Sequence, residues 1–270
     1  MSDEMYVVKA SGKKEELDVE KVRKTCLRAG ASKELADKIA KEVEKRAYDG
    51  ITTKEILDLI LKLLEEEPEA ATRYDLKRAI MSLGPTGFPF EKFIAEVLQN
   101  YGYKTKVGEI LRGKCVNHEI DIVAEKDGKR YLVECKYHNA LGIYTDLKVA
   151  LYTRARFLDL GDNFDQAWLV CNTKLTADAR KYAKCAGLKI TSWRNPRKES
   201  LERMIEEKRL YPTTILRSVE GFAKDRLFQA GIMLAKDLLD HGFEDLKRMT
   251  GLPQDTLNNI MEEVRKICAC

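Results

Sequence analysis

His118-Glu119-Ile120-Asp121-Ile122-Val123-Ala124-Glu125-Lys126-Asp127-Gly128-Lys129-Arg130-Tyr131-Leu132-Val133-Glu134-Cys135-Lys136 is the stretch on which the reading of this 270-residue chain turns. Asp127-Gly128 between two apolar runs predicts a two-residue turn, which pairs Lys126 with Lys129 across a hairpin. Carried outward, that register sets Asp121 opposite Glu134 and Glu119 opposite Lys136. Side chains alternate along strands, so Glu119, Asp121, Glu134 and Lys136 are expected on one face. Two opposed carboxylates repel each other, and a divalent cation removes that cost; oxygen ligands of this kind suit magnesium or manganese. A neighbouring lysine can orient or deprotonate an attacking water and help neutralise a phosphoryl transition state. The spacing thus points to metal-assisted phosphodiester hydrolysis. The competing reading is a solvent-facing hairpin whose acids are screened by Lys129, Arg130 and Lys136. Leu132 on the acidic face, with Val133 and Cys135 on the other, weighs against it. On the repulsion argument, removing one acid is expected to raise metal-free stability slightly.

Around this hairpin the pattern is helix-strand-strand-strand-helix-strand-helix-strand. A helix is expected from about Glu91 to Tyr101, with Phe93, Ile94, Val97 and Leu98 inward. Strands are expected at Tyr103–Val107, Glu119–Glu125, Arg130–Tyr137, Ala167–Cys171 and Lys189–Trp193, and further helices at Thr145–Leu158 and Thr176–Cys185. This is an α/β domain with a mixed sheet. Gly84-Pro85-Thr86-Gly87-Phe88-Pro89 ahead of it and Asn195-Pro196-Arg197 behind it have boundary composition.

The segment before the boundary opens with a hairpin-like stretch, Tyr6-Val7-Val8-Lys9, a turn at Ser11-Gly12-Lys13, then Glu15 to Asp18. Four helices follow. Gly30 ends the first, Gly50 follows the second, Thr52 and Glu55 form a capping box for the third, and Pro68 interrupts before a fourth at Ala70–Leu83. After Pro196 the chain reads as all helical, punctuated by Gly231, Gly242 and Gly251.

At 270 residues the chain is too long for one domain of about 100–200 residues, and 44% hydrophobic content is enough for real cores. Residues 1–84 carry 17 basic and 18 acidic side chains, 85–198 carry 20 and 13, and 199–270 carry 11 and 13. The positive excess therefore sits in the middle, which fits a polyanionic partner and equally a solvated lysine-rich surface. The acidic start, without an apolar core, argues against a secretory signal, and no run approaches the ~20 apolar residues that span a bilayer. Seven cysteines, none in a C-x-x-C pair, form neither a disulfide framework nor a zinc site, so a reducing, cytoplasmic location is expected.

The middle segment resembles the PD-(D/E)xK nuclease superfamily, in its Mrr-like restriction endonuclease and archaeal Holliday-junction-resolvase branch. The resemblance rests on Phe90-Glu91 opening a helix that ends at Gly102-Tyr103, then Glu119-Ile120-Asp121, then Glu134-Cys135-Lys136. Ile120 stands where the family has proline before its metal-binding Asp. The resemblance implies that Asp121 and Glu134 bind the metal, with the Cys135 carbonyl as a further oxygen. It makes Lys136 the catalytic lysine and Glu91 the helical acid that completes the metal shell, with Glu96 a weaker candidate on another face. Outside the motif, His118 reads as incidental. Tyr144, Lys148, Tyr152, Arg154 and Arg156 form a basic and aromatic mixture suited to phosphate contact, with Lys148 and Tyr152 on one helical face. Lys174 leaves the end of a strand, where α/β folds commonly place binding residues.

The first segment is similar to the ATP-cone of ribonucleotide reductases and their transcriptional regulators, through Val7-Val8-Lys9, Gly12, Leu17-Asp18, Lys21 and Thr52-Thr53. That likeness implies that Lys9 and Lys21 meet phosphates, with Glu16 and Thr53 near the nucleotide. Ala10 stands where the family often has Arg, which removes one bidentate phosphate partner. The competing reading is a helical oligomerisation module. The last segment resembles helix-hairpin-helix domains at Leu227–Ile232 and Leu246–Pro253, where glycine turns can aim amides at a DNA phosphate; Lys247, Arg248 and Gly251 belong to the better one. A packing or dimerisation cap is the alternative.

The fold expected is multidomain α and α/β: a helical ATP-cone with an N-terminal hairpin (1–84), a restriction-endonuclease-like core with a mixed sheet (85–198), and an all-α helix-hairpin-helix tail (199–270). The resemblances imply a Mg2+- or Mn2+-dependent DNA endonuclease with ATP or dATP as allosteric ligand, acting in restriction, repair or recombination, a homodimer with no membrane partner. The competing class is a catalytically inactive, nucleotide-responsive DNA-binding protein.

Overall fold

A computed structural model describes residues 5–9, 12–140 and 142–268; Ala10, Ser11 and Cys270 lie outside the described residues. The chain divides after Lys77 into two compact units.

In the first unit, β1 (Tyr6–Val8) and β2 (Lys14–Glu16) pair antiparallel, with Tyr6 opposite Glu16. β2 stops short of Asp18 because that carboxylate caps α1 (Val19–Ala29), accepting the Lys21 N–H at 2.8 Å. Gly30, at φ 95°, closes α1 in the left-handed conformation that a side chain would oppose. α2 (Lys33–Arg46) starts at the Ser32 cap. A third strand, β3 (Ile51–Thr52), lies parallel to β1; two residues are too few to show alternation, so the sequence did not disclose it. α3 (Thr53–Leu63) opens at the Thr52–Glu55 capping box. α4 (Pro68–Met81) begins at Pro68, whose missing N–H costs nothing in a first turn. Cys26, Leu35, Ile39, Val43, Ile56 and Ile60 lie in its core.

The second unit begins its α/β part with α5 (Phe88–Asn100), whose Phe90, Phe93, Ile94, Val97 and Leu98 are buried. β4 (Lys104–Arg112), β5 (Asn117–Lys126) and β6 (Lys129–Lys136) form an antiparallel meander. After β7 (Tyr144–Thr145) come α6 (Leu147–Leu160), β8 (Gln166–Cys171), β9 (Lys174–Leu175), α7 (Ala177–Cys185) and β10 (Lys189–Thr191). The main sheet has the order β10-β8-β6-β5-β4; β8 runs parallel to β6 and β10, so the sheet is mixed. β4 is longer than expected: past Gly108, at φ 71°, its pairing with β5 continues from Glu109–Ile120 to Arg112–Asn117. β7 and β9 pair parallel in a separate two-stranded sheet.

The helical tail lies in this same unit. It contains α8 (Leu201–Glu207), α9 (Gly221–Gln229), α10 (Phe243–Thr250) and α11 (Gln254–Cys268). Gly251, at φ 64°, joins α10 to α11 as the sequence suggested. The earlier glycine turn joins α9 only to a 3-10 turn at Ala235–Asp240, not to a second α-helix. The cause is local pairing: Leu234 bridges Pro212, and the Ala235 N–H donates to the Tyr211 carbonyl at 2.8 Å. Among the described residues no helix is long and apolar enough to cross a membrane.

Candidate active site

The hairpin keeps the register its Asp-Gly turn dictates from Lys126–Lys129 as far as Ile122–Val133, where the ladder ends. Asp121 is the next residue of β5. Its carboxylate accepts the Cys135 N–H at 2.7 Å, so a side chain takes over where strand pairing stops. On β4, the residue between the pairs Val107–Ile122 and Glu109–Ile120 is Gly108, at φ 71°. Alternation breaks at this point. Ile120 and Val123, three apart, share one apolar cluster with Leu132, Leu160 and Phe164. His118, with the same parity as Ile120, reaches Asp159 on α6 at 2.7 Å. Glu119 therefore leaves the face that carries Glu134 and Lys136, contrary to the expectation from simple alternation, and acts on Asp121 and Glu91 only through its charge.

Three carboxylates converge electrostatically from three elements: Glu91 from the first turn of α5, Asp121 from β5 and Glu134 from β6. Burial, then the charges of Asp121 and Glu119, push Glu91 up to about 7. Burial also raises Asp121, against the Cys135 N–H and the charge of Arg156. Glu134 is raised by burial and by Asp121, with Arg156 opposing. Its Oε2 is ion-paired with the Arg156 Nη1 from α6, and the two side chains are 14% and 6% exposed. Lys136, the last residue of β6, attracts both Asp121 and Glu134.

Among the described residues, no three His, Cys, Asp or Glu side chains stand close enough to form a ready-made metal cage. The donor chemistry nevertheless fits a hard divalent ion, because buried carboxylates that raise one another's proton affinity lose that cost beside a cation. The Cys135 thiol is buried, and burial pushes it well above its usual range.

The helix after the motif leads to these acids. Lys148 and Tyr152 are exposed, and Arg156, one further step of four residues along α6, is buried with its guanidinium 5.2 Å from the Tyr152 ring centre. The sequence placed Lys148 and Tyr152 on one face; the role of Arg156 was missed, although the same four-residue interval extends to it. Lys174 pairs with Tyr144 in the small sheet just before α6. The chain leaving Lys136 is fixed by His138 and Asn172, whose backbone and amide groups exchange hydrogen bonds of 2.9 and 2.8 Å. No spacing in the sequence signals that pair, because they are 34 residues apart. His118 instead fastens the β4–β5 turn to α6, together with the Cys115 N–H, which donates to Asp159 at 2.8 Å. Glu96 feels Asp237 and Lys236 of the tail and not the acid cluster.

In the first unit, Lys9 and Lys21 reach the same oxygen of Glu15, at 2.7 and 4.0 Å, so their ammonium groups converge on one acceptor. Glu16 is exposed on β2, and Thr53 is the first residue of α3. In the tail, the amides expected to meet DNA phosphate are taken up internally. The Gly251 N–H donates to the Lys247 carbonyl at 2.8 Å and the Leu252 N–H to Thr250 Oγ1 at 3.2 Å. Lys247 and Arg248 remain exposed, Arg248 paired with Asp245 at 2.6 Å.

Three family models match the chain: ATP cone domain over residues 5–79, restriction endonuclease over 85–197, and AF1548-like, C-terminal, over 211–268. An uncharacterized protein of Archaeoglobus fulgidus is 43% identical over 175 residues, 64% of this chain and 99% of the relative. A second uncharacterized protein of that organism is 52% identical over 44 residues, 16% of this chain and 92% of the relative. The crystal structure of AF1548, a protein of unknown function, aligns with a TM-score of 0.62 and 41% identity, covering 68% of this chain and all of that one (100%).

Proposed function

The chain belongs to the AF1548-like family, and from that premise we propose that it is a divalent-metal-dependent DNA endonuclease whose activity responds to ATP or dATP. One observation carries the reading: the acids Glu91, Asp121 and Glu134 lie near enough to raise one another's proton affinity beside Lys136, inside the segment matched to restriction endonucleases. Asp121, Glu134, Glu91 and the Cys135 carbonyl would hold Mg2+ or Mn2+, which supplies Lewis acidity and a water that ionises near neutral pH. Asp121 is oriented for this by the Cys135 N–H. Lys136, as an ammonium, orients the water and offsets charge on the phosphoryl oxygens. The Tyr137 hydroxyl, donating to the Met81 carbonyl at 2.6 Å, and the His138–Asn172 pair keep the strand end that bears this lysine in place.

In this reading residues 1–84 are the nucleotide-binding domain, 85–198 the nuclease and 199–270 a helical DNA-binding tail. Lys148, Tyr152 and Lys174 contact DNA beside the acids, while Lys247 and Arg248 contact it from the tail through their side chains. A homodimer supplies two sites for the two strands, and a cytoplasmic setting suits free thiols. The deciding experiment is a cleavage assay on duplex, flap and four-way-junction DNA, with Mg2+, Mn2+ or chelator, and with or without ATP or dATP. Metal-dependent cutting supports the proposal. Tight DNA binding without cutting under any of these conditions would instead favour the inactive binding protein.

Two further outcomes are expected. ATP or dATP should raise the melting temperature of the full chain in a concentration-dependent way, with about 2.7 kcal/mol of added stability at a hundredfold excess over Kd. Lys9→Ala and Lys21→Ala should each diminish that shift, because both ammonium groups serve one anionic acceptor. No shift at millimolar nucleotide would leave the segment a structural module. For the tail, Lys247→Ala and Arg248→Ala should each weaken DNA binding and lower the slope of log K against log salt by about 1. An unchanged slope measured by fluorescence anisotropy would remove the tail from the DNA interface.

A further inference from the structure

We propose that Arg156 is a positioning residue of the metal site: its guanidinium holds Oε2 of Glu134, which would leave Oε1 of that carboxylate free for a divalent ion. The inference rests on the metal-dependent reading above and goes beyond it to a residue outside the motif. Arg156 lies on the buried face of α6 with Thr153 and Leu160 and is 6% exposed. Its Nη1 donates to Glu134 Oε2, while its Nε is buried without a partner among the described residues.

A core arginine with an unpaired N–H is a poor stabiliser. The unmade hydrogen bond leaves a desolvation cost uncompensated, and apolar replacement of a buried ion pair is often neutral or better. The guanidinium is therefore better explained by what it does to Glu134. It takes one oxygen only, and among the described residues no donor reaches Oε1. A cation acting as a substitute for the metal would instead bond both acids. Asp121 is held by the Cys135 N–H and not by Arg156. The Tyr152 ring, 5.2 Å from the guanidinium centre, further restricts where that fork can point. Such outer partners typically shift metal affinity by about 10–100-fold when removed.

The test is calorimetric titration of the metal-free full chain with Mn2+, for the parent, Arg156→Met and Arg156→Lys. Each is measured well below its own melting temperature, so that a merely structural loss of stability leaves Kd unmoved. Arg156→Met should bind Mn2+ at least about tenfold more weakly. Arg156→Lys, which keeps the charge but not the planar fork, should fall between Arg156→Met and the parent. If Arg156→Met does not fold, Arg156→Lys alone decides. Parent-like or tighter binding by the methionine variant, or by the lysine variant where it stands alone, overturns the positioning role while leaving the metal site intact. A parent that binds no Mn2+ overturns the metal reading, and this inference with it.

Discussion

Asp121→Asn is expected to bind duplex DNA as the parent does while losing divalent-metal-dependent cleavage by at least about a thousandfold. Asparagine keeps the shape of the side chain and an oxygen to accept the Cys135 N–H, so the end of the β5–β6 ladder stays closed. What it removes is one negative charge from the three that Glu91, Asp121 and Glu134 bring together. A hard cation is held chiefly by that charge, and without it the lysine at 136 faces a water no more acidic than bulk. Single-turnover cleavage with Mg2+ and Mn2+, set beside anisotropy on the same DNA, separates the two effects. Cleavage within tenfold of the parent would move the active site elsewhere in the chain.

The second large effect is on stability, and it differs between the acids. Repulsion alone suggested that deleting either member of the opposed pair would help the metal-free protein. The structure reverses that at Glu134, because Glu134→Ala leaves Arg156 charged, buried and unpaired, at a cost of about 3 kcal/mol. Glu91 lies near the other acids and has no such burden. Its folded value, about 7, is above its ordinary 4.5, so the folded state binds the proton more tightly. The favourable contribution of its neutral form is present in full below about 4.5 and is lost as pH rises through about 7. Glu91→Gln should therefore match the parent near pH 5 and, with chelator present, exceed it at pH 8 by on the order of 1–2 kcal/mol, the shift being discounted for partial exposure. Urea unfolding of both variants at the two pH values checks this. Glu91→Gln equally destabilised at both, or Glu134→Ala as stable as the parent, would break the electrostatic account.

Much of this is legible in the amino-acid sequence. The Asp127-Gly128 turn set the hairpin register correctly as far as Ile122–Val133, and the Thr52–Glu55 box opened α3 where expected. The order of elements carrying Glu91, Asp121, Glu134 and Lys136 likewise followed from hydrophobic pattern and motif. β3, β7 and β9 were not legible, each being two residues long. The reversal near Asp121, which turns Glu119 away, was not legible either, because it falls where β5 passes Gly108 of a neighbouring strand.

The division has a physical origin. Caps, turns and strand alternation arise from groups within a few residues of one another, so the amino-acid sequence by itself determined the hairpin, the helix starts and the identity of the acids. Which amides are free and which charges are paired depends on partners far along the chain. Only the tertiary structure decided that the Gly251 and Leu252 amides are consumed inside their own turn. It also decided that Arg156, 22 residues beyond Glu134, comes back through α6 to hold one of its oxygens, because the desolvation of a buried charge is set by everything packed around it.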